Sequence, residues 1–172
     1  MSSAGTFAQM SNEKTVEVGG APMYPSKDII DNAVNSKDHT TLVAAVKAAD
    51  LVSTLKGPGP FTVFAPTNAA FAKVSDAVDN LMKPENKAML VKVLTYHVVP
   101  GRIGSKMLLK MIKKAGGKAT LKTVQGENLY ASADGDMITI WDENGNKSMI
   151  TTADVWQSNG VIHVVDAVLM PK

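Results

Sequence analysis

The chain has 172 residues, enough for one well-buried domain and too few for two comfortable ones. With 45% hydrophobic and 20% charged residues its composition is that of a globular protein, no apolar run nears the roughly 18 residues needed to span a bilayer, and Met1–Gly20 does not read as a signal peptide. The absence of cysteine excludes disulfides, thiolate metal sites and cysteine catalysis. The net charge of +2 is unevenly spread: residues 1–82 carry 6 basic and 8 acidic side chains, residues 83–122 carry 10 and 1, and residues 123–172 carry 2 and 7. The middle segment is thus a candidate basic face for anionic polymers, and the plainer reading is a solvated helix surface balanced by the acidic end of the chain.

Residues 1–24 are small and polar and are expected to form a flexible arm, ending near a short strand at Thr15–Val18, ahead of a domain over 25–172. After Pro22 and Pro25, Ser26 is placed to cap a short helix through Val34. A second helix is predicted from Asp38 to Leu55, with Leu42, Val43, Val46, Ala49 and Leu51 on one face and Gly57-Pro58-Gly59-Pro60 ending it. Phe61–Ala65, rich in aromatic and β-branched residues, reads as a short buried strand. Thr67 or Asn68 then caps a helix containing Ala69–Val74, and Pro84 starts another that runs to Leu94. Val98-Val99-Pro100-Gly101 is a strand meeting a turn. Residues 105–115 form a basic amphipathic segment, with Met107, Leu108, Met111 and Ile112 on one side and Lys106, Lys110, Lys113 and Lys114 elsewhere, stopped by Gly116-Gly117.

From Lys118 the texture is β, with strands predicted at 119–125, 127–132, 136–141, 146–151 and 161–169. Gly126, Asp134-Gly135 and Asn144-Gly145 supply the turns. A helical first half and a meandering second half define an α+β domain with a mostly antiparallel sheet, which the distant Phe61–Ala65 strand must join.

Three blocks carry a specific resemblance. Phe61-Thr62-Val63-Phe64-Ala65-Pro66-Thr67-Asn68-Ala69-Ala70-Phe71, then Tyr96-His97, then Gly160-Val161-Ile162-His163-Val164-Val165-Asp166 ending in Met170-Pro171 occur in the order and spacing of the fasciclin (FAS1) family. The resemblance covers about residues 26–172. It implies a wedge of mostly antiparallel, β-sandwich-like sheets with helices along one edge, a secreted, periplasmic or cell-surface location, and a role in adhesion. Asp154-Val155 falls where animal members of the family place an Asp-Ile pair associated with integrin binding, with Val155 departing from the usual Ile. The resemblance therefore makes Tyr96, His97, Asp154 and Val155 the partner-binding candidates, provided that they are exposed; burial of all four makes them structural.

His97 and His163 sit inside apolar runs and are expected to be core histidines, hydrogen-bonded to groups such as Thr67, Asn68 or a main-chain carbonyl. His39, at a helix start, is expected to be exposed. Asp166 is expected to satisfy turn or helix-end amides. No metal site is expected, since there are only three histidines and Asp142–Asn146 fails as a calcium loop, with Lys147 and Ala153 at the glycine and glutamate positions. No nucleophile elbow, zinc-protease motif or phosphate loop occurs, so neither catalysis nor a cofactor is expected. Nucleic-acid binding fits poorly, because the basic segment lacks interleaved aromatics.

The leading reading is a non-catalytic adhesion module for a cell-surface protein or extracellular polysaccharide. An alternative, drawn from Met82, Met89, Met107 and Met111 with Leu108 and Ile112, is a carrier of a lipophilic small molecule such as a carotenoid; an open apolar cleft beside residues 82–112 would favour it. A third is electrostatic binding of anionic glycans by a basic patch of Lys106, Lys110, Lys113, Lys114 and Lys118.

Overall fold

A computed structural model describes residues 15–171 other than 19 and 136, so the part of the expected arm up to residue 14 lies outside the described residues. Strands β1 (Val16–Val18) and β2 (Ala21–Met23) form a small hairpin, and Val18 and Met23 are buried in the core. Helices α1 (Ile29–Ala33), α2 (Thr40–Ala48) and α3 (Val52–Leu55) follow, with a 3-10 turn at Lys37–His39. Asp28, rather than Ser26, caps α1 by accepting from the Asp31 amide. The single helix expected over 38–55 is broken at Asp50, whose φ of 57° ends α2 and reverses the chain into α3.

Strand β3 (Phe61–Pro66) leads into α4 (Asn68–Ala72), capped by the Thr67 side chain, which accepts from the Ala70 amide. Helix α5 (Ser75–Leu81), a 3-10 turn at Pro84–Asn86, α6 (Lys87–Tyr96), β4 (Val98–Pro100) and α7 (Ser105–Lys114) complete the helical half. The β half is β5 (Lys118–Lys122), β6 (Asn128–Asp134), β7 (Met137–Trp141), β8 (Lys147–Gln157) and β9 (Gly160–Val165).

The seven strands β3–β9 make one sheet in the order β4-β3-β9-β8-β7-β6-β5, antiparallel except for the β3–β9 pair. Strand β8 pairs with β7 over Thr139–Trp141 and with β9 further on, through register shifts between Ile150 and Val155. These bulges bend the sheet into two facing leaves that share β8. On the far side the Val124 amide donates to the Val98 carbonyl (2.8 Å), bringing the end of β5 against β4. The α+β architecture implied by the sequence is present, and the curled sheet gives it a nearly barrel-like form.

Two apolar cores result. Helices α1–α6 cover one face of the β3–β9 pair, burying Leu42, Val46, Val63, Ala65, Leu90, Val93, Ile162 and Val164. The second core lies between the leaves, where Phe64, Tyr96, Leu129, Ile140 and Val165 meet Leu108 and Ile112 of α7. Strands β3 and β9 are buried on both faces, which is why their sequences are apolar runs rather than alternating ones. Close approach fixes one glycine. A Cβ at Gly160 would lie 2.0 Å from the Phe61 carbonyl oxygen, so only glycine admits the β3–β9 register at that point.

Candidate functional site

Helix α6 ends at Tyr96 and His97, which turn inward between the two cores. The Tyr96 hydroxyl donates to the Asn128 carbonyl (2.7 Å) and accepts from the Glu143 amide (3.2 Å), tying α6 to β6 and to the β7–β8 turn. Burial holds this hydroxyl above its usual pKa. His97 Nδ1 donates to the Val93 carbonyl (2.8 Å), and its Nε2 accepts from the Leu169 amide (3.0 Å). These partners require the neutral Nδ1–H tautomer. Burial lowers the pKa of His97 to about 4, only partly opposed by the Val93 hydrogen bond.

His163 repeats the arrangement with the nitrogens exchanged. Nε2 donates to the Ile103 carbonyl (2.7 Å) and Nδ1 accepts from the Asp154 amide (3.2 Å). His39 is a third case: Nε2 faces the Ala65 carbonyl (3.4 Å) and Nδ1 faces the Ser36 hydroxyl (2.9 Å). At 1% exposure, His39 is not the surface residue expected from its place at a helix start. Burial lowers the pKa of both His39 and His163. His97 and His163 each accept a main-chain N–H on one ring nitrogen and are therefore neutral, and all three imidazoles pin together segments distant in sequence.

The Asp154-Val155 pair lies on the bulged part of β8. Asp154 adopts φ 59°, and its carboxylate accepts from the Ser105 amide (2.6 Å) and the Ser105 hydroxyl. The N-cap position of helix α7 is Gly104, which has no side chain to cap it, and Asp154 caps the helix from strand β8 instead. Trp156 packs over the same glycine, where a Cβ would lie 2.8 Å from the indole. Val155 points the other way, fully buried in the helix-covered core.

Of the four partner-binding candidates, Tyr96, His97 and Val155 are therefore buried and present no surface to a partner in this conformation. Asp154 is partly exposed, and both its oxygens are engaged with Ser105. The structure does not bring the four into one exposed cluster.

The remaining motif residues also make internal bonds. Asn68 accepts from the Thr41 amide (3.0 Å) and donates to the Lys37 carbonyl (2.7 Å). Asp166 accepts from the strand amide of Met149 (2.8 Å), not from a turn or helix end. Two further polar residues were not among the candidates. Thr62 donates to the Gly101 carbonyl (2.7 Å) and accepts from the Ile103 amide (2.8 Å). Asp142, 3% exposed, accepts from the amides of Asn144 (2.9 Å), Asn146 (2.8 Å) and Met170 (3.1 Å) and from the Asn146 side chain (3.0 Å). The Asp-x-Asn-Gly-Asn spacing that fails as a calcium loop is the signal that could have found it: its first carboxylate faces amides. Among the described residues no group of three or more His, Asp or Glu could hold a metal ion.

The lysines divide between two surfaces. Leu108 and Ile112 pin α7 to the inner face of β5 and β6, leaving Lys106, Lys110, Lys113 and Lys114 exposed on the helix. Lys118 begins β5 and points to the outer face of the sheet, over Tyr130 and Trp141.

The methionines expected to form one groove are likewise separated. Met89, half exposed, borders a depression with Leu81, Val93 and Met170. Met111 lines an open groove of about 620 Å³ at the β4–β5 seam, with Val99, Pro100, Ile103, Leu121 and Val124. The enclosed apolar cavity under α1–α3 holds only about 50 Å³. No helix among the described residues is long and apolar enough to cross a membrane.

Comparison with known proteins places this geometry in a family. The family model described as Fasciclin domain matches residues 37–171. Protein sll1483 of Synechocystis is 44% identical over 166 residues, covering 94% of this chain and 83% of that protein. Transforming growth factor-beta-induced protein ig-h3 of Sus scrofa is 33% identical over 147 residues, which span 86% of this chain and 20% of that one. In structure, the chain superposes on a FAS1 domain pair from the insect cell adhesion molecule Fasciclin I with a TM-score of 0.75. That likeness extends over 91% of this chain and 58% of the pair at 18% identity, and it speaks to the fold alone. On the matching blocks, the shared topology and the relatives at 30% identity and above, the chain belongs to the fasciclin domain family.

Proposed function

We propose that the protein is a non-catalytic adhesion module that acts outside the cytoplasm and binds a cell-surface protein or an extracellular polysaccharide. One observation carries the reading: the polar side chains of the family's motifs are engaged in internal hydrogen bonds. Tyr96, His97, His163, Asp154 and Asn68 each hold two main-chain segments together and are not grouped around a cleft. Catalysis needs a nucleophile, acid or base with a free valence facing a substrate. A rigid body that offers its outer surface needs none. The same fold occurs in a domain pair of an insect cell adhesion molecule, so the architecture is compatible with this reading.

The test is attachment of cells of the producing organism to a surface coated with the folded protein, against the same coating after thermal unfolding. Attachment confined to the folded coating is the expected result; equal attachment to both, or none to either, removes the proposal.

A second reading is favoured by the groove at the β4–β5 seam. Its volume of about 620 Å³ and apolar lining suit a lipophilic small molecule, and the enclosed cavity of about 50 Å³ does not. A native mass spectrum and visible absorption spectrum of protein purified from its own source test it. A discrete added mass with absorbance makes the protein a carrier; a clean mass without absorbance removes that reading for coloured ligands.

A further inference from the structure

The outer face of β5–β8 carries a group of side chains that neither the fold nor the motifs explain. Thr120, Tyr130, Trp141 and Lys147 lie opposite one another across four successive strands. The next row is Lys118, Ser132, Thr139 and Met149. Inward positions of the same strands, such as Leu121, Leu129, Ala131 and Ile140, fill the core between the leaves. Burial therefore accounts for every second residue and leaves the outer set without a structural reason.

The two aromatic rings form a platform held in place. The Trp141 indole N–H donates to Ser132 Oγ (2.7 Å), one row away, which lays the indole along the sheet. Both rings are partly exposed. The Lys118 ammonium sits 5.0 Å from the Tyr130 ring centroid and 5.7 Å from that of Trp141, within cation–π range of both. At an exposed site such a contact is weak, so a stronger anion can draw the ammonium away and uncover the rings. Within the two rows the charged side chains are Lys118 and Lys147, with Lys122 beside them on β5; Asp134 lies at a corner, and the Asp154 carboxylate of β8 is engaged with Ser105.

We infer that this face is a binding site for an anionic polysaccharide, whose sugar rings stack on Tyr130 and Trp141 and whose carboxylate or sulfate groups are met by Lys118. The inference rests on the adhesion reading and assigns it a surface. A flat platform suits the apolar face of a pyranose ring, and the Thr120, Ser132 and Thr139 hydroxyls lie within the same two rows for its hydroxyl groups. Opposite charge on the polymer makes the binding salt-dependent. The lysines of α7 belong to another surface and are not part of the site.

The test is native gel electrophoresis through gels containing alginate, dextran sulfate or uncharged dextran, with the dissociation constant taken from retardation. Retardation is expected in alginate, in dextran sulfate or in both, according to whether carboxylate or sulfate is recognised, and not in dextran. Trp141→Thr leaves the charge unchanged and is expected to weaken binding about tenfold. Lys118→Gln, which leaves the platform intact, is expected to weaken it by a similar factor, and thermal midpoints confirm that both variants fold. A triple Lys106→Gln, Lys110→Gln, Lys113→Gln variant is expected to retain most of the affinity. The inference is overturned if Trp141→Thr binds like the parent protein, if the triple variant alone loses binding, or if neither anionic polymer retards the protein. Cell attachment measured on the same preparation separates the two proposals: attachment without polymer retardation leaves the adhesion reading standing and removes this site.

Discussion

The Tyr96-His97 end of α6 and the outer face of β5–β8 both carry aromatic and polar side chains, and they use them in opposite ways. At Tyr96 and His97 each polar side-chain atom meets a main-chain group, three of those four contacts reaching a distant part of the chain, and both residues are buried. On the outer face Tyr130, Trp141 and Lys118 touch mainly one another, beside solvent. Resemblance to a family draws attention to the first group. The second group, which no family motif marks, is the one with a surface to offer. On the proposed reading, motif residues in this domain hold the fold, and recognition is left to residues that the fold leaves unconstrained.

The largest effect expected on the interior side comes from Gly160→Ala. The new Cβ would lie 2.0 Å from the Phe61 carbonyl oxygen, which forces β3 and β9 apart. Loss of more than about 4 kcal/mol is expected in denaturant unfolding, placing it among the exceptional single substitutions. A loss below 1 kcal/mol would mean that the register is not rigid there.

Acid should act through the histidines. The folded-state pKa of His97, about 4, lies below its ordinary value of 6.5. Between these values the unfolded chain takes up a proton that the folded chain refuses. Stability is therefore full above pH 6.5, falls as pH drops towards 4, and gains no further loss from this residue below that. His97 alone contributes a decline on the order of 3 kcal/mol. His163 and His39, lowered in the same direction, steepen the same limb. Urea unfolding between pH 7 and 4 checks this, and a flat profile would contradict the neutral-pin assignment.

Tyr96→Phe keeps the ring and removes one donor and one acceptor, leaving the Asn128 carbonyl and Glu143 amide unpaired. A loss of about 1–3 kcal/mol is expected in thermal or denaturant unfolding. Asp154→Ala removes the cap of α7 and places alanine at a positive φ, at a cost of about 1–2 kcal/mol. Hydrogen exchange should locate that loss in the first turn of the helix. A smaller stability change belongs to the outer face: Trp141→Thr, which removes a partly buried indole and its hydrogen bond to Ser132, is expected to cost about 1 kcal/mol. It reverses the order of the series in the polymer-binding assay, where it should have the largest effect.

What could be read in the sequence depended on how local its cause was. Phe61–Pro66 and Gly160–Val165 are apolar on both faces, and a run of that kind identifies a central strand without knowledge of its partner. The Thr67 cap and the Asn144-Gly145 turn are short-range and were legible for that reason. The break at Asp50 was not, because the apolar spacing of 42–51 continues through it. The short strand expected at Thr15–Val18 is β1, but its partner β2, three residues long and holding Pro22, is too short to show any period. His39 was placed by its helix start, yet its burial comes from packing against β3, which no local pattern encodes. The capping of α7 by Asp154 spans 49 residues, and the departure of Lys118 from the other lysines follows from the alternation of one strand.

The most direct measurement is cell attachment to surfaces coated with Tyr96→Phe, made at a temperature where circular dichroism confirms the native fold. If the motif residues act only from the interior, the variant holds cells as well as the parent protein does while unfolding at a lower denaturant concentration. Loss of attachment with the fold intact would place Tyr96 in the binding surface and contradict the account.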